Sequence, residues 1–275
     1  MSSVQSGCLH VVATPIGHRD DFSARAIETL RAVAVIAAED TRHSRPLLIH
    51  HNIDTPLIAL HDHNERDAVD AIVRRMAAGD SVALISDAGT PLISDPGFRL
   101  VRAARAAGIR CIPVPGACAA IAALSVAGLP SDRFVFEGFL PAKAAARRSR
   151  LQELAGDART VIFYESSHRV AESLADMRDI FGPDREAVLA RELTKMFETV
   201  LGEPLAALAA RVVADPDQQR GEHVILVAGR GEEADAKLLE GQRIFAILRD
   251  ELPPARAAKL AAAITGAPRK LLYEG

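Results

Sequence analysis

The sequence predicts an α/β protein: two α/β domains with a ligand cleft between them, and a small helical segment at the carboxyl end. Short apolar runs alternate with helix-period segments along most of the chain, and in the first domain this alternation is typical of a mainly parallel sheet buried on both faces. The pattern changes at residues 129–132, which we expect to link the domains. A loop rich in Gly, Pro, Ser and Asp follows an apolar strand at 86–97, where open α/β sheets bind ligands.

Length and composition allow two compact domains and disfavour several classes of protein. The chain has 275 residues, 49% of them hydrophobic and 4% aromatic, so Ala, Val, Leu and Ile should form the cores. A net charge of −3 disfavours a uniformly basic nucleic-acid-binding protein but allows a local basic patch. Cys8, Cys111 and Cys118 have neither a CxxC nor a zinc spacing, which favours a reducing cytoplasm. With no evident signal peptide or membrane span, we expect a cytoplasmic protein with no membrane partner.

The first predicted domain covers residues 1–129 and alternates strands with helices. Its expected strands are 9–12, 33–38, 58–60, 82–85 and 109–114. Ser23 and Asn64 have side chains that cap helix starts, and Gly79 is placed to end the helix that Asn64 begins. The other two helices are expected at 98–107 and 116–128.

The second predicted domain covers residues 130–230, and a helical segment covers 231–275. Expected strands of the second domain are 134–139, 160–164, 187–191 and 224–227, and its expected helices are 143–155, 170–181 and 205–213. In the carboxyl segment, helices at 238–252 and 254–264 precede a turn at 265–268 and a short last helix. This outline fits a helix-turn-helix, and equally a helical hairpin that packs on the main body.

Three strand-to-helix loops have the composition of a small-molecule site. They are residues 14–20, 86–97 and 113–118. The third loop leads into a helix N-terminus, whose unpaired N–H groups favour an anionic group. None of the three matches a Walker A or a GxGxxG pattern, which disfavours ATP and NAD.

Two later strands end in polar residues, at 163–169 and 190–195. Each could be a structural cap, but together with the three loops they predict a cleft between the domains. Lys143, Arg147, Arg148 and Arg150 form a basic cluster with no acidic residue from 142 to 150. Such a cluster is usually a solvated helix face, although beside a cleft it could hold backbone phosphates.

A histidine-rich segment at 61–65 has metal-binding side chains but not a metal-binding pattern. The chain has no HExxH motif, and histidines two residues apart on a strand point to opposite faces. We therefore expect no metal site, because metal ligands must converge on one point.

Seven motifs in order along the chain are similar to those of a known family. They lie at 12–17, 38–42, 61–65, 86–97, 139–143, 163–169 and 191–195. On these motifs the chain resembles the ribosomal RNA small subunit methyltransferase I family of the tetrapyrrole-methylase-like superfamily. The resemblance covers nearly the whole chain, with two departures: His18 replaces the usual Asn, and the carboxyl segment ends early, soon after Tyr273.

The resemblance implies a homodimer of the tetrapyrrole-methylase fold that binds S-adenosylmethionine between its two domains. The implied reaction is 2′-O-methylation of a cytidine ribose in the decoding region of 16S rRNA, within the small ribosomal subunit. By analogy with the superfamily, the residues expected to contact the cofactor are Pro15, Ala88, Gly89, Thr90, Ile93, Cys118, Ala119, Tyr164 and Glu192.

A ribose 2′-hydroxyl is a poor nucleophile, so a base or a stabiliser of the developing alkoxide should assist. The candidates, in falling order, are Glu192, Lys195, Asp95 and Glu39. Lys195 could lower the pKa of the hydroxyl by its charge, or act as a base if burial depresses its own pKa. The residues expected to contact RNA phosphates are Arg42, Arg45, Arg147, Arg148 and Arg169.

Two alternatives remain open from the sequence. One is a methyltransferase of the same superfamily that acts on a tetrapyrrole-like small molecule, since fold alone does not select the substrate. The other is a non-catalytic RNA-binding module with a vestigial cofactor pocket. The motifs at 39–42 and 164–166 favour the RNA enzyme.

Overall fold

The computed structural model describes residues 7–61 and 65–273, and these form two five-stranded sheets. Strands of the first sheet are β1 (Cys8–Val12), β2 (Val35–Ala38), β3 (Leu57–Ala59), β4 (Val82–Ile85) and β5 (Arg110–Val114). Their order is β3-β2-β4-β1-β5, and every neighbouring pair is parallel. The prediction of a mainly parallel first sheet is confirmed.

Helices follow each strand of the first sheet. They are α1 (Ala24–Ala32), α2 (Thr41–His50), α3 (Glu65–Ala77), α4 (Phe98–Ala106) and α5 (Ala119–Ala127). The predicted cap of α1 is confirmed, since Ser23 Oγ accepts a hydrogen bond from Ala26 N at 3.1 Å. The other predicted cap, Asn64, lies outside the described residues, as do residues 62–64 of the histidine-rich segment.

Helix α2 has no counterpart among the predicted helices. Asp40 caps it, because its carboxylate accepts from Arg42 N at 2.8 Å. Pro46 lies inside the helix, where proline removes a backbone donor and reads as a helix breaker. Because of this proline the sequence does not predict a helix here. The helix forms in the structure because packing of Leu48 into the core stabilises it.

The second sheet mixes strand directions. Its strands are β6 (Phe134–Phe139), β7 (Thr160–Ser166), β8 (Glu186–Arg191), β9 (Thr199–Pro204) and β10 (Glu222–Val227). The order is β6-β7-β10-β8-β9, in which only β6 and β7 run parallel. Strand β9 was not predicted, because Gly202 and Pro204 interrupt its apolar pattern and only an edge strand tolerates such residues.

Both faces of the second sheet are covered. Helices α6 (Ala144–Leu154), α7 (Val170–Phe181) and α8 (Leu205–Ala214) cover one face, where Phe163 and Leu174 are fully buried. The other face packs against α5, through Ala120, Ala123 and Leu124. Helix α5 belongs to the first domain by sequence, so the first domain supplies part of the second sheet's core. The domain boundaries themselves stay predictions.

The carboxyl segment has its own small core. It contains α9 (Glu232–Leu248), α10 (Pro254–Thr265) and a 3₁₀ turn at Arg269–Tyr273. Phe245, Ala258 and Leu272 are buried where these elements meet. A Cβ on Gly241 would lie 2.8 Å from that of Ala267, so the glycine permits the close approach of α9 to the last turn. Among the described residues, no helix is long and apolar enough to span a membrane.

Candidate active site

The three predicted loops meet at the carboxyl edge of the first sheet. Thr14 and Gly89 exchange two backbone hydrogen bonds, of 2.8 and 3.1 Å, which join the first loop to the second. Thr90 Oγ1 donates to the carbonyl of Ala117 at 2.9 Å, which joins the second loop to the third. The three loops therefore form one continuous wall.

The second loop, residues 86–97, is held in a demanding backbone conformation. Leu92 and Ser94 have φ values of +75° and +65°, in the left-handed region that costs most residues about 1–2 kcal/mol. Gly97 has a φ of +119°, and a Cβ there would lie 2.6 Å from Leu84 Cδ2. Such strained conformations cluster at ligand sites, where the surrounding structure holds them in place.

Tyr164, near the end of β7, forms the facing wall. Its hydroxyl accepts a hydrogen bond from Ala120 N, at the start of α5, at 3.1 Å. Its ring lies edge-on to Phe136 and Phe139, with centroids 4.9 and 5.7 Å away. Burial raises the pKa of Tyr164, with a further contribution from Cys118, so the phenol stays protonated.

Between these walls lies a first cavity of about 390 Å³, a volume suited to a small molecule. Most of the residues predicted to contact S-adenosylmethionine line it: Ala88, Gly89, Thr90, Ile93, Cys118, Ala119 and Tyr164. Pro15 lines a neighbouring cavity instead, and Glu192 lines neither. The cavity wall is mainly backbone and small or apolar side chains.

A second cavity, of about 490 Å³, adjoins the first. Ile16, Ala88 and Glu222 line both cavities, so the two spaces share a boundary. Three cations, Arg19, Arg42 and Lys195, line the second cavity together with His43 and two acids, Asp87 and Glu222, whereas no Lys or Arg that the structure describes lines the first. This cavity is thus the more cationic of the two.

Lys195 lies between two carboxylates at the wall of the second cavity. Its Nζ is 2.9 Å from Glu192 Oε1 and 2.9 Å from Glu222 Oε2. Burial alone would lower the pKa of Lys195, but its hydrogen bonds to these two carboxylates outweigh burial and raise it. Of the two roles considered for Lys195, the raised pKa favours the one in which a charged ammonium acts on the hydroxyl, because the condition for a basic lysine, a depressed pKa, is not met.

Glu192 supports Lys195 from behind. The backbone of Glu192 has a φ of +52°, and its carboxylate accepts a hydrogen bond from Glu222 N at 2.9 Å. A Cβ on Gly221 would lie 2.5 Å from Glu192 Oε1, so a glycine is needed beside this carboxylate. Burial opposes ionisation, yet the hydrogen bonds from Glu222 N and Lys195 lower the pKa of Glu192. Glu192 is therefore ionised and turned toward Lys195.

The other two predicted catalytic carboxylates are in different environments. Asp95 lines the first cavity. Burial raises its pKa, and although a hydrogen bond with Ser86 opposes this, the charge of Asp87 adds to it. Glu39, at the end of β2, lines neither cavity.

Glu222 is the main residue that the sequence analysis missed. It begins β10 directly after Gly221, its side chain is 75% exposed, and it faces both cavities. The sequence showed only the apolar run at 224–227, so the strand was predicted to start two residues too late. A charged residue between a glycine and a buried strand was the available signal.

A close contact joins the first loop to the connection between β8 and β9. A Cβ on Gly17 would lie 2.6 Å from both Thr194 Oγ1 and Lys195 Cγ, so only glycine fits here. His18 N donates to Thr194 Oγ1 at 3.0 Å. His18 Nδ1 accepts from Asp20 N at 3.3 Å, so the histidine still supplies a side-chain acceptor where the resembled family has Asn.

The predicted phosphate-binding arginines lie in three places: on α2, on α6 and at the start of α7. Arg42 and Arg45 project from α2, and Arg42, whose side chain is 90% exposed, lines the second cavity. Arg42 also holds Asp40 in a bidentate pair, and this hydrogen bonding lowers the pKa of Asp40 to about 2. Arg169 is half-buried, and it donates to Glu165 and to the carbonyl of Leu140.

The three arginines of the basic cluster on α6 pair with acids, most of them from other elements. Arg147 is only 2% exposed, and its Nε lies 2.7 Å from Asp176 Oδ2. The prediction that Arg147 contacts RNA phosphate is therefore wrong, because its guanidinium is buried against α7. Arg148 shares Asp176, and Arg150 pairs with Glu137 on β6.

Comparison with known proteins agrees with this architecture. The family model of tetrapyrrole (corrin/porphyrin) methylases matches residues 8–209, and that of the RsmI C-terminal HTH domain matches residues 235–274. The second match supports the helix-turn-helix interpretation of the carboxyl segment over a plain hairpin.

Close relatives carry one name. The chain is 62% identical to ribosomal RNA small subunit methyltransferase I of Xylella fastidiosa (strain Temecula1) over 98% of both chains. It is 60% identical to the protein of that name from Pseudomonas aeruginosa, over 98% of this chain and 97% of the relative. Among solved structures, a uroporphyrin-III C-methyl transferase from Thermus thermophilus, complexed with S-adenyl homocysteine, matches at a TM-score of 0.57. The match covers 81% of this chain and 97% of that one, and at 15% identity it shows the shared fold.

Proposed function

The chain belongs to the tetrapyrrole methylase family, and from this premise we propose that it methylates the 2′-hydroxyl of a cytidine ribose in the decoding region of 16S rRNA, using S-adenosylmethionine. The observation that carries the proposal is the joining of two unlike cavities, one mainly apolar and with no Lys or Arg among the described residues that line it, the other lined by three cations. Relatives named as rRNA small subunit methyltransferases align over 98% of the chain, which supports an RNA acceptor.

The first cavity fits the cofactor. Gly89 has a φ of +82°, and a Cβ there would lie 3.3 Å from Ile16 Cγ2, so the glycine lets the second loop lie close against the first at the cavity wall. Gly89 and Thr90 would hold the cofactor on one side and Tyr164 on the other, with Cys118 and Ala119 at the amino end of α5. When bound, S-adenosylmethionine supplies a methyl group on a positively charged sulfur, which is the electrophile of the reaction.

The second cavity fits the acceptor, and Lys195 is its main catalytic candidate. An ammonium beside a hydroxyl lowers the pKa of that hydroxyl and stabilises negative charge that develops on its oxygen. Glu192 and Glu222 fix the ammonium group on two sides, so it does not need to reorganise during the reaction. Asp95, which lines the first cavity, stays a candidate for accepting the proton.

Positioning of the RNA would complete the site. Arg42 and Arg45 on α2 are proposed to hold backbone phosphates beside the second cavity, and Arg148 and Arg169 stay secondary candidates. We also propose that the enzyme acts in the cytoplasm as a homodimer on the small ribosomal subunit, with the carboxyl helices contacting RNA. Oriented binding of the hydroxyl is expected to supply much of the rate enhancement.

Methyl transfer to small ribosomal subunits that lack their native modifications tests the proposal. Labelled S-adenosylmethionine is supplied, and the labelled nucleoside is then mapped in 16S rRNA. One labelled 2′-O-methylcytidine in the decoding region is the expected result. Tight cofactor binding by calorimetry without any incorporation would instead favour a small-molecule acceptor or a non-catalytic binding module.

A further inference from the structure

Two large apolar side chains project into solvent beside Lys195. Met196 is 90% exposed and Phe197 is 65% exposed, and Met196 is the most exposed large apolar side chain that the structure describes. Both belong to the connection between β8 and β9, residues 192–198. Adjacent exposed apolar side chains on a surface often mark a contact with another molecule.

This connection is firmly held, so the exposure of the pair is built into the fold. Lys195 N donates to the carbonyl of Glu192, and Glu198 N donates to that of Lys195. Thr194 N donates to the Glu198 carboxylate, and the buried Arg191 donates from Nη1 to the carbonyl of Phe197 at 2.9 Å. Burying an apolar side chain of this size would gain free energy, and the structure instead keeps both side chains out.

The surroundings of the pair resemble those of a single-stranded RNA contact. Lys195, the preceding residue, lines the second cavity together with Arg19 and Arg42. The two carboxylates within the same connection are already engaged, Glu192 with Lys195 and Glu198 with Thr194 N. Proteins that bind unpaired RNA combine cations for the phosphates with aromatic faces on which bases stack.

We propose that Phe197, flanked by Met196, is a stacking platform for an unpaired nucleobase next to the nucleotide that enters the second cavity. The inference rests on the proposed function and adds a substrate contact to it. A second copy of the chain is the competing occupant, and the exposed Val200 on edge strand β9 would adjoin such a contact. A stable dimer buries roughly 800 Å² on each partner, far more than two side chains supply, whereas a base needs one aromatic face.

The first measurement is the steady-state kinetics of Phe197 variants on small ribosomal subunits that lack native modifications. F197A and F197L should raise KM for the subunits about tenfold, with kcat and the calorimetric Kd for S-adenosylmethionine unchanged, because a single stack is lost. F197Y and F197W keep an aromatic face and should stay within about threefold of the parent. The matched control is F134L. Phe134 is the first residue of β6 and is 39% exposed. This control should leave KM unchanged.

Two results would contradict the proposal that Phe197 stacks on a base. If F197L binds subunits as well as the parent, apolar contact suffices and no base stacks there. If F197A changes the mass of the protein in sedimentation equilibrium at micromolar concentration, a second copy covers the surface.

A photocrosslink identifies the occupant directly. With p-benzoylphenylalanine at position 197, irradiation with the same subunits should give one RNA adduct near the methylated nucleotide, mapped by primer extension. An adduct to a second copy of the chain, or to a ribosomal protein alone, would contradict the proposal. Turnover of the unmodified protein on the subunits tests the proposed function separately, so the two failures can be told apart.

Discussion

Two connections approach the site from opposite sheets, and they are held by different means. Residues 86–97 follow parallel strand β4, and residues 192–198 follow β8 in the mixed sheet. Each carries two non-glycine residues in the left-handed region, Leu92 with Ser94 and Glu192 with Thr194. Backbone strain at the site is thus shared between the two halves of the molecule.

The difference lies in what each connection presents. The first is fixed by glycines and by backbone hydrogen bonds, and it offers amides and small side chains to the first cavity. The second also has backbone hydrogen bonds, but ion pairs among its side chains and with Glu222 are added to them, and it offers an ammonium to the second cavity. The backbone therefore shapes the first cavity, proposed for the cofactor, while ion pairs position the charged group at the second cavity, proposed for the acceptor.

Loss of the Lys195 ammonium should have the largest effect on the acceptor side. K195M should lower kcat about a hundredfold, the usual cost of removing a group that stabilises developing negative charge. K195R keeps a cation and should lose less than about tenfold. Single-turnover methyl transfer measures both, with calorimetry showing an unchanged Kd for S-adenosylmethionine. A fully active K195M would show that the charge has no role in the reaction.

A methyl group at Gly97 should damage the first connection. G97A adds left-handed strain of about 1–2 kcal/mol and a clash with Leu84 worth about 1–3 kcal/mol more. We expect Kd for the cofactor to rise about tenfold while Lys195 keeps its elevated pKa. Chemical denaturation and calorimetry measure the two effects.

Gly108 provides the matched control for this substitution. Its φ is +72°, and a Cβ there meets nothing within 4 Å. G108A should therefore lower the free energy of unfolding only by the backbone strain, about 1–2 kcal/mol, and should leave the Kd for the cofactor unchanged. Equal losses of affinity in G97A and G108A would show that the packing against Leu84 does not shape the cavity.

Removal of the Glu222 charge tests how far the ion pairs around Lys195 matter for the second connection. The pKa of Lys195 lies above its ordinary value, so its cationic form persists as pH rises and is lost only when pH passes that raised pKa. E222Q removes one cause of the elevation, and the alkaline limb of the kcat profile should move to lower pH. At neutral pH we expect a loss of about fivefold, near 1 kcal/mol. An unshifted profile would remove Glu222 from the support of Lys195.

The smallest effect is expected at the outer rim of the second cavity. R42A should weaken subunit binding by a few fold and reduce the salt dependence of log K by about one. R178A is the control, since Arg178 likewise pairs with a neighbouring acid, Asp179, but lies on α7 outside both cavity linings. Titrations at several salt concentrations compare the two. Identical salt slopes for R42A and the parent protein would argue against a phosphate contact.

Much of the first half of the molecule could be predicted from its sequence. The apolar runs at 9–12 and 82–85 and the loop at 86–97 appear in the structure close to where they were expected. Their signals are local, because a buried parallel strand is apolar throughout and a ligand loop after it needs glycine. Helix α2 was not predicted, because Pro46 in its interior is a residue that usually breaks helices.

The second half depended more on distant contacts. Strand β9 lies at a sheet edge, where neighbours rather than its own apolar pattern define it. Arg147 looked like one of four surface cations, yet Asp176, 29 residues away, pairs with it in the interior. Glu222 gave only a weak local signal, a charge between a glycine and a buried strand, and its contact with Lys195 at 2.9 Å depends on the tertiary structure.

The sequence by itself therefore determined the α/β class, the positions of nine of the ten strands that the structure describes, the ligand loops and the family. Local hydrophobic periodicity and glycine placement encode these features, and neither depends on knowing which residues meet in space. Only the tertiary structure decided the protonation and the roles of the charged residues. A charge is set by its burial and by the partners within a few ångströms, and those partners come from distant parts of the chain.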